Sequence, residues 1–146
     1  MTFTHKKGYS LIELIAVLAI VSVLFSFATT TWQQALMTTR RSDATTGLQQ
    51  IAGKQEIFRL QHQRYADSSE LAPPPPSGLG VNIDTSAHYL FTTKASATGF
   101  TAAASAHSAS PQKNDTLCQL FIIDESGRQI AQTGTGEDST QRCWKS

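Results

Sequence analysis

The chain has 146 residues, with twelve Lys and Arg against eleven Asp and Glu, a formal net charge of +1, and 40% apolar side chains. That length holds one domain. The near-neutral balance argues against a wholly electrostatic nucleic-acid binder while allowing a local basic stripe.

Lys6-Lys7-Gly8 stands just before an apolar run from Leu11 to Ala28, and the run's one charge is Glu13. A carboxylate in hydrocarbon costs roughly 2.5–3.5 kcal/mol at the bilayer centre, which makes an ionisable residue there a functional candidate. A plain anchor tolerating one Glu near the interface is the simpler alternative. An ordinary secretory signal puts an A-x-A-like cleavage site behind its apolar stretch. Phe25-Ser26-Phe27-Ala28-Thr29 offers none.

The string Lys7-Gly8-Tyr9-Ser10-Leu11-Ile12-Glu13, running into the apolar segment, resembles the class III leader of type IV prepilins and pseudopilins. The resemblance implies cleavage by a prepilin peptidase after Gly8 and N-methylation of the new terminus at Tyr9, where Phe is the commoner residue. It also implies a bacterial precursor held in the inner membrane by a single pass, with its head periplasmic, and later an extracellular pilus. The expected divisions are a leader at 1–8, a transmembrane or filament-core helix at 9–31, and a head at 32–146. Loss of the leader takes Lys6 and Lys7 with it, leaving ten basic against eleven acidic side chains. Glu13 is the candidate assembly residue, since its carboxylate would pair with the Tyr9 amine of a neighbouring subunit and so fix register. With an export leader and an even count, Cys118 and Cys143 favour a disulfide; a thiol metal site lacks companion ligands at workable spacing.

No proline interrupts residues 9 to about 61, and the composition favours one helix of about 53 residues, about 80 Å at 1.5 Å per residue. Beyond Trp32 the apolar pattern narrows to Ala44, Leu48, Ile51, Gln55 and Phe58, with Ala52 alongside and Gln49, Gln50, Lys54 and Arg59 opposite. Type IV pilins commonly carry a bending proline near position 30. Thr29-Thr30-Thr31 stands here instead, which lowers helix propensity mildly. Pro73 to Pro76 reads as an extended polyproline connector.

The remaining head reads as four short antiparallel strands, at 88–93, 99–104, 117–123 and 128–131. Turns are expected at 95–99 and 124–127 and a polar loop at 105–115. The fold class is therefore α+β: a long N-terminal helix, apolar in its first half, packed on a four-stranded antiparallel sheet. Arg64-Tyr65-Ala66-Asp67, the Cys118-x-x-Leu strand, Gly127-Arg128 and Cys143-Trp144 resemble PilE/ComP-type minor pilins.

No nucleophile elbow, phosphate loop or zinc-protease motif is present, and an enzyme is not expected. His62, His88 and His107 read as surface residues. Asp124-Glu125 and Glu137-Asp138 read as solvated turns rather than a calcium site. Arg40-Arg41 reads as a solvated helix flank. The expected function is a minor pilin supporting pilus biogenesis, twitching motility or adhesion, and no cofactor or small-molecule substrate is expected. Its expected partners are other pilin subunits through their N-terminal helices, the prepilin peptidase and the inner membrane. Two alternatives stay open: a type II secretion pseudopilin, and a DNA-binding pilin for natural transformation with Lys94, Lys113, Arg128, Arg142 and Lys145 as candidate contacts.

Overall fold

A computed structural model describes residues 9–81 and 88–144, with backbone alone for 27–31. Helix α1 runs Leu11–His62, followed by strands β1 (Tyr89–Ala95), β2 (Phe100–Ala106), β3 (Leu120–Asp124) and β4 (Gln129–Gln132), then a short helix α2 (Thr140–Cys143). The chain divides into two compact units, Met1–Leu36 and Met37–Ser146.

In the first unit α1 from Leu11 to Phe25 is apolar apart from Glu13 and Ser22. Leu11, Ile12, Ile15, Leu18, Ile20, Leu24 and Phe25 are all exposed. Ser22 and Ser26 return their hydroxyls to the carbonyls of Leu18 and Ser22, at 2.7 and 3.0 Å. Among the described residues no helix is long and apolar enough to cross a membrane. The apolar run continues in sequence through Phe27 and Ala28, whose side chains lie outside the described residues.

In the second unit α1 buries the expected stripe, Ala44, Leu48, Ile51, Gln55 and Phe58. The four strands form an antiparallel sheet in the order β1-β2-β3-β4. Alternation puts Tyr89, Phe91, Phe100, Ala102, Ala104, Phe121, Ile123 and Ala131 into one core with that stripe. Truncating Leu48 or Ile51 to Ala in such a core costs about 2–5 kcal/mol. Gln55 is fully buried because its amide clamps Ala66, accepting from Ala66 N at 2.8 Å and donating to Ala66 O at 2.7 Å. The clamp turns the Arg64–Asp67 segment so that Tyr65 enters the core against Phe100.

The prolines depart from expectation. Pro73–Pro76 is a compact turn with a cis Pro75–Pro76 bond, not an extended connector. Prolines lack N–H groups but keep their carbonyls. Pro73 and Pro74 accept from Gly80 N and Ser77 N at 2.7 and 3.1 Å, while Leu79 and Val81 bond back to Glu70 and Leu71 and fill the core. Strand limits also move, and β1 runs on to Ala95 rather than ending at Thr93. The sheet begins at Leu120 rather than Leu117, because Cys118 is held by its own cross-link and Leu117 faces outward. The loop expected from Ser105 yields its first two residues to β2 and folds Pro111–Asn114 into a 3-10 turn capped by Ser110.

Candidate functional site

Tyr9 precedes α1 and is 85% exposed. Glu13 sits in the first helical turn, where Ser10 O accepts from Glu13 N and Leu14 N at 3.1 and 3.2 Å. A carboxylate at that end complements the partial positive charge of the helix N-terminus. Among the described residues Glu13 makes no ion pair within the chain. Gly8, the expected cleavage residue, lies outside the described residues.

Cys118 and Cys143 are joined, with an S–S distance of 2.01 Å and Cα atoms 5.8 Å apart. The link ties α2 to the entry of β3. Trp144 completes the attachment, donating from Nε1 to Ile130 O at 2.8 Å and meeting Phe121 edge-on.

The five basic candidates are not brought together. Lys94 lies opposite Thr101 in the β1–β2 register, and Arg128 follows the β3–β4 turn, so both mark one end of the sheet. Arg128 is partly neutralised by Asp124, whose Oδ2 accepts from its Nε at 3.1 Å. Lys113, in the 3-10 turn, and Arg142, in α2, mark the other end beside the disulfide. Lys145 lies outside the described residues.

Several other cations are spoken for. Arg64 pairs with Glu70, Arg59 reaches Tyr65 OH and Glu56, and Lys54 donates to Gly80 O. Arg40, Lys94, Lys113 and Arg142 make no ion pair among the described residues. These four can meet an external anion without breaking an internal bond. Burial, with Arg40 nearby, pushes the His88 imidazole below its ordinary value, and its Nδ1 pairs with Ser110 Oγ at 2.8 Å.

Arg41 corrects the sequence reading of a solvated flank. Its Nε and Nη2 donate to the two oxygens of Asp115, and the Asp115 side chain is only 2% exposed. Gln112 Nε2 donates to Asp115 Oδ2 and to Tyr89 OH, at 2.8 and 2.9 Å, and Cys118 N donates to Asp115 Oδ1. Burial first, then Asp115, drives the Tyr89 phenol well above its ordinary value. A signal existed: Arg41 lies three residues before Ala44, on the buried stripe itself. A cation there needs a buried carboxylate. This network fixes the loop that carries Lys113.

A family described as "Type IV minor pilin ComP, DNA uptake sequence receptor" matches residues 30–122. The prokaryotic N-terminal methylation motif matches residues 3–29. Among solved structures, a type IV pilin from Shewanella oneidensis aligns at 22% identity over 64% of this chain and 90% of that one, with a TM-score of 0.43. No curated protein matches. The first match spans most of the head and most of the chain, and the chain belongs to the ComP family of type IV minor pilins.

Proposed function

We propose that this minor pilin displays a DNA-binding head on a type IV pilus. The observation that carries the reading is the match of residues 30–122 to a family named for a DNA uptake sequence receptor. The exposed cations without ion pairs, Lys94, Lys113 and Arg142, supply the phosphate contacts, since such contacts provide most of a protein's affinity for DNA. Arg128 contributes less, because Asp124 holds part of its charge. The matched family is one of minor pilins, which favours a pilus over a type II secretion system as the destination.

The N-terminal segment supplies display. The leader 1–8 is removed after Gly8, Tyr9 is methylated, and residues 9–31 hold the precursor in the inner membrane before entering the filament core. The match to the methylation motif over residues 3–29 supports this processing. Residues 32–146 then form the exposed head, and in the packed filament Glu13 pairs with the Tyr9 amine of the next subunit. An unpaired charge in that apolar setting is costly, so the pairing sets axial register.

The test is binding of a soluble fragment starting at Trp32 to labelled duplex DNA across a salt series. Salt-sensitive binding is expected, with a logarithmic slope of about −0.9 for each phosphate contacted. Lys113→Ala and Arg142→Ala should each weaken binding and lower the slope by about one. Absence of salt-sensitive binding removes the DNA reading and leaves a structural subunit.

A further inference from the structure

We propose that Trp32 is a membrane-interface anchor that sets the depth of α1 in the bilayer, holding Glu13 and the Gly8–Tyr9 peptide at the opposite face. The proposal rests on the reading that the precursor is membrane-inserted. Trp32 is 67% exposed and stands three threonines beyond the end of the apolar run at Ala28, with the polar pair Gln33-Gln34 next in sequence. Among the described residues it makes no ring contact and its indole makes no hydrogen bond. An indole joins a large apolar body to one N–H donor, the combination that settles at the headgroup level.

Length supplies the second argument. Trp32 and Glu13 are nineteen residues apart on one continuous helix, about 28 Å at 1.5 Å per residue. The hydrocarbon core is about 30 Å thick. With the indole at one boundary, the Glu13 carboxylate reaches the other boundary, where headgroups and water solvate it. Tyr9, four residues further, then lies outside the core as a second interfacial aromatic, and the scissile peptide beside it is open to a peptidase. Between the two ends, the Ser22 and Ser26 hydroxyls are already bonded to the helix backbone, so no described polar side chain within that interval opposes burial in lipid. A shift of one turn in either direction would bury Glu13 or expose apolar side chains. Trp32 is the residue that resists that shift.

The experiment uses the full-length precursor in vesicles of phosphatidylethanolamine and phosphatidylglycerol. Vesicle flotation establishes insertion. Tryptophan quenching by lipids with doxyl groups near the glycerol or near the chain ends then reports depth. Subtracting the Trp32→Ala signal isolates Trp32 from Trp144, whose indole is held by Ile130 O. The expected result is quenching several-fold stronger with the shallow probe. Cleavage by a prepilin peptidase in the same vesicles should slow several-fold for Trp32→Ala and recover for Trp32→Tyr. A precursor that floats but shows deep or no quenching of Trp32, or a Trp32→Ala variant cleaved at the parent rate, overturns the anchor while leaving membrane insertion standing. A precursor that does not float overturns both.

Discussion

Arg41 and Asp115, 74 positions apart in sequence, meet through two hydrogen bonds of 2.7 and 2.9 Å on the face that α1 turns into the core of the second unit. The carboxylate also receives Gln112 Nε2 and Cys118 N, so one side chain organises a helix, a loop and the start of β3. Removing one member of a buried pair costs about 3–5 kcal/mol, because the other charge stays behind without its partner. Asp115→Ala should therefore destabilise the head by about that amount. Arg41→Ala should cost at least as much, because the carboxylate it strands is only 2% exposed, whereas the Arg41 stranded by Asp115→Ala is 15% exposed and within reach of solvent. Urea unfolding of both variants and of the double variant gives the coupling energy. A coupling near zero would mean the pair is geometric only.

Two glycines on α1 should respond in opposite directions. A Cβ on Gly47 would meet Cζ and Cε1 of Phe91 at 2.5 and 2.8 Å, so the buried ring must move. Overpacking of this kind costs about 1–3 kcal/mol. A Cβ on Gly53 meets nothing within 4 Å, and the residue is exposed in mid-helix. Gly53→Ala should stabilise the head by roughly 0.5–1 kcal/mol, the propensity difference between the two residues. Thermal unfolding of the two single variants checks the signs.

Acid should weaken the head. Hydrogen bonds from Arg64, at 2.8 and 2.6 Å, hold the Glu70 carboxyl down to about 2 against an ordinary 4.5. Asp67, Asp124 and Asp138 are lowered as well, chiefly by the hydroxyls of Ser69, Ser126 and Thr140. A carboxyl whose folded value lies below its unfolded value adds stability that is complete above about pH 4.5 and is lost as pH falls toward 2. The Arg64 side chain is 51% exposed, so solvent and salt screen the Glu70 pair and its share is modest. Urea midpoints should fall slightly from pH 7 to 5, as His88 is forced to charge, and more steeply below. Glu70→Gln should make that decline shallower, and an unchanged slope would remove Glu70 from the account.

The division between what the sequence reveals and what it hides follows the range of the interactions. The helix and its stripe are legible because Ala44, Leu48, Ile51, Gln55 and Phe58 repeat at the helical period, a property of neighbours three and four apart. The strands are legible from alternation, as in Tyr89, Phe91 and Thr93 facing in while Leu90 and Thr92 face out. The Arg41–Asp115 pair is not, because nothing in Asn114-Asp115-Thr116 indicates which distant cation its carboxylate will meet. The proline turn is hidden for a similar reason. Its geometry is set by Leu79 and Val81 reaching the core, not by the prolines alone. Among the site residues, spacing separates Lys94 from Lys113 by number but cannot say that they occupy opposite ends of the sheet. That follows only from the register.

Reduction should loosen one corner of the head rather than dissolve it. The Cys118–Cys143 link closes a loop with sequence separation 25, worth roughly 3–4 kcal/mol in the chain-entropy account. The sheet has other attachments: Trp144 Nε1 holds Ile130 O, and Thr140 Oγ1 accepts from Ala131 N at 2.9 Å. A Cys118→Ala, Cys143→Ala variant should lose about 3–4 kcal/mol of stability. Its hydrogen exchange should rise first over residues 138–144 and only later in β1 and β2. Uniform acceleration across the sheet would show that the link supports the whole core.

Glu13 separates processing from assembly. Its carboxylate lies four residues past Tyr9 and makes no ion pair among the described residues of its own chain. Glu13→Val removes the carboxylate while improving the apolar match to lipid, so insertion and cleavage after Gly8 should persist. If Glu13 pairs with the neighbour's Tyr9 amine as proposed, the same change leaves that amine buried without a partner in the filament. A penalty of about 3 kcal/mol corresponds to about a hundredfold loss in occupancy. The measurement is the mass of the membrane-bound subunit together with its amount in sheared pili. Mature mass in the membrane with a near-empty pilus fraction is the expected pair of results. Parent-level incorporation of Glu13→Val would show that subunit register is set by helix packing alone. Glu13→Gln, which keeps shape and a hydrogen-bonding amide but no charge, should match Glu13→Val if charge carries the effect and the parent if polarity does.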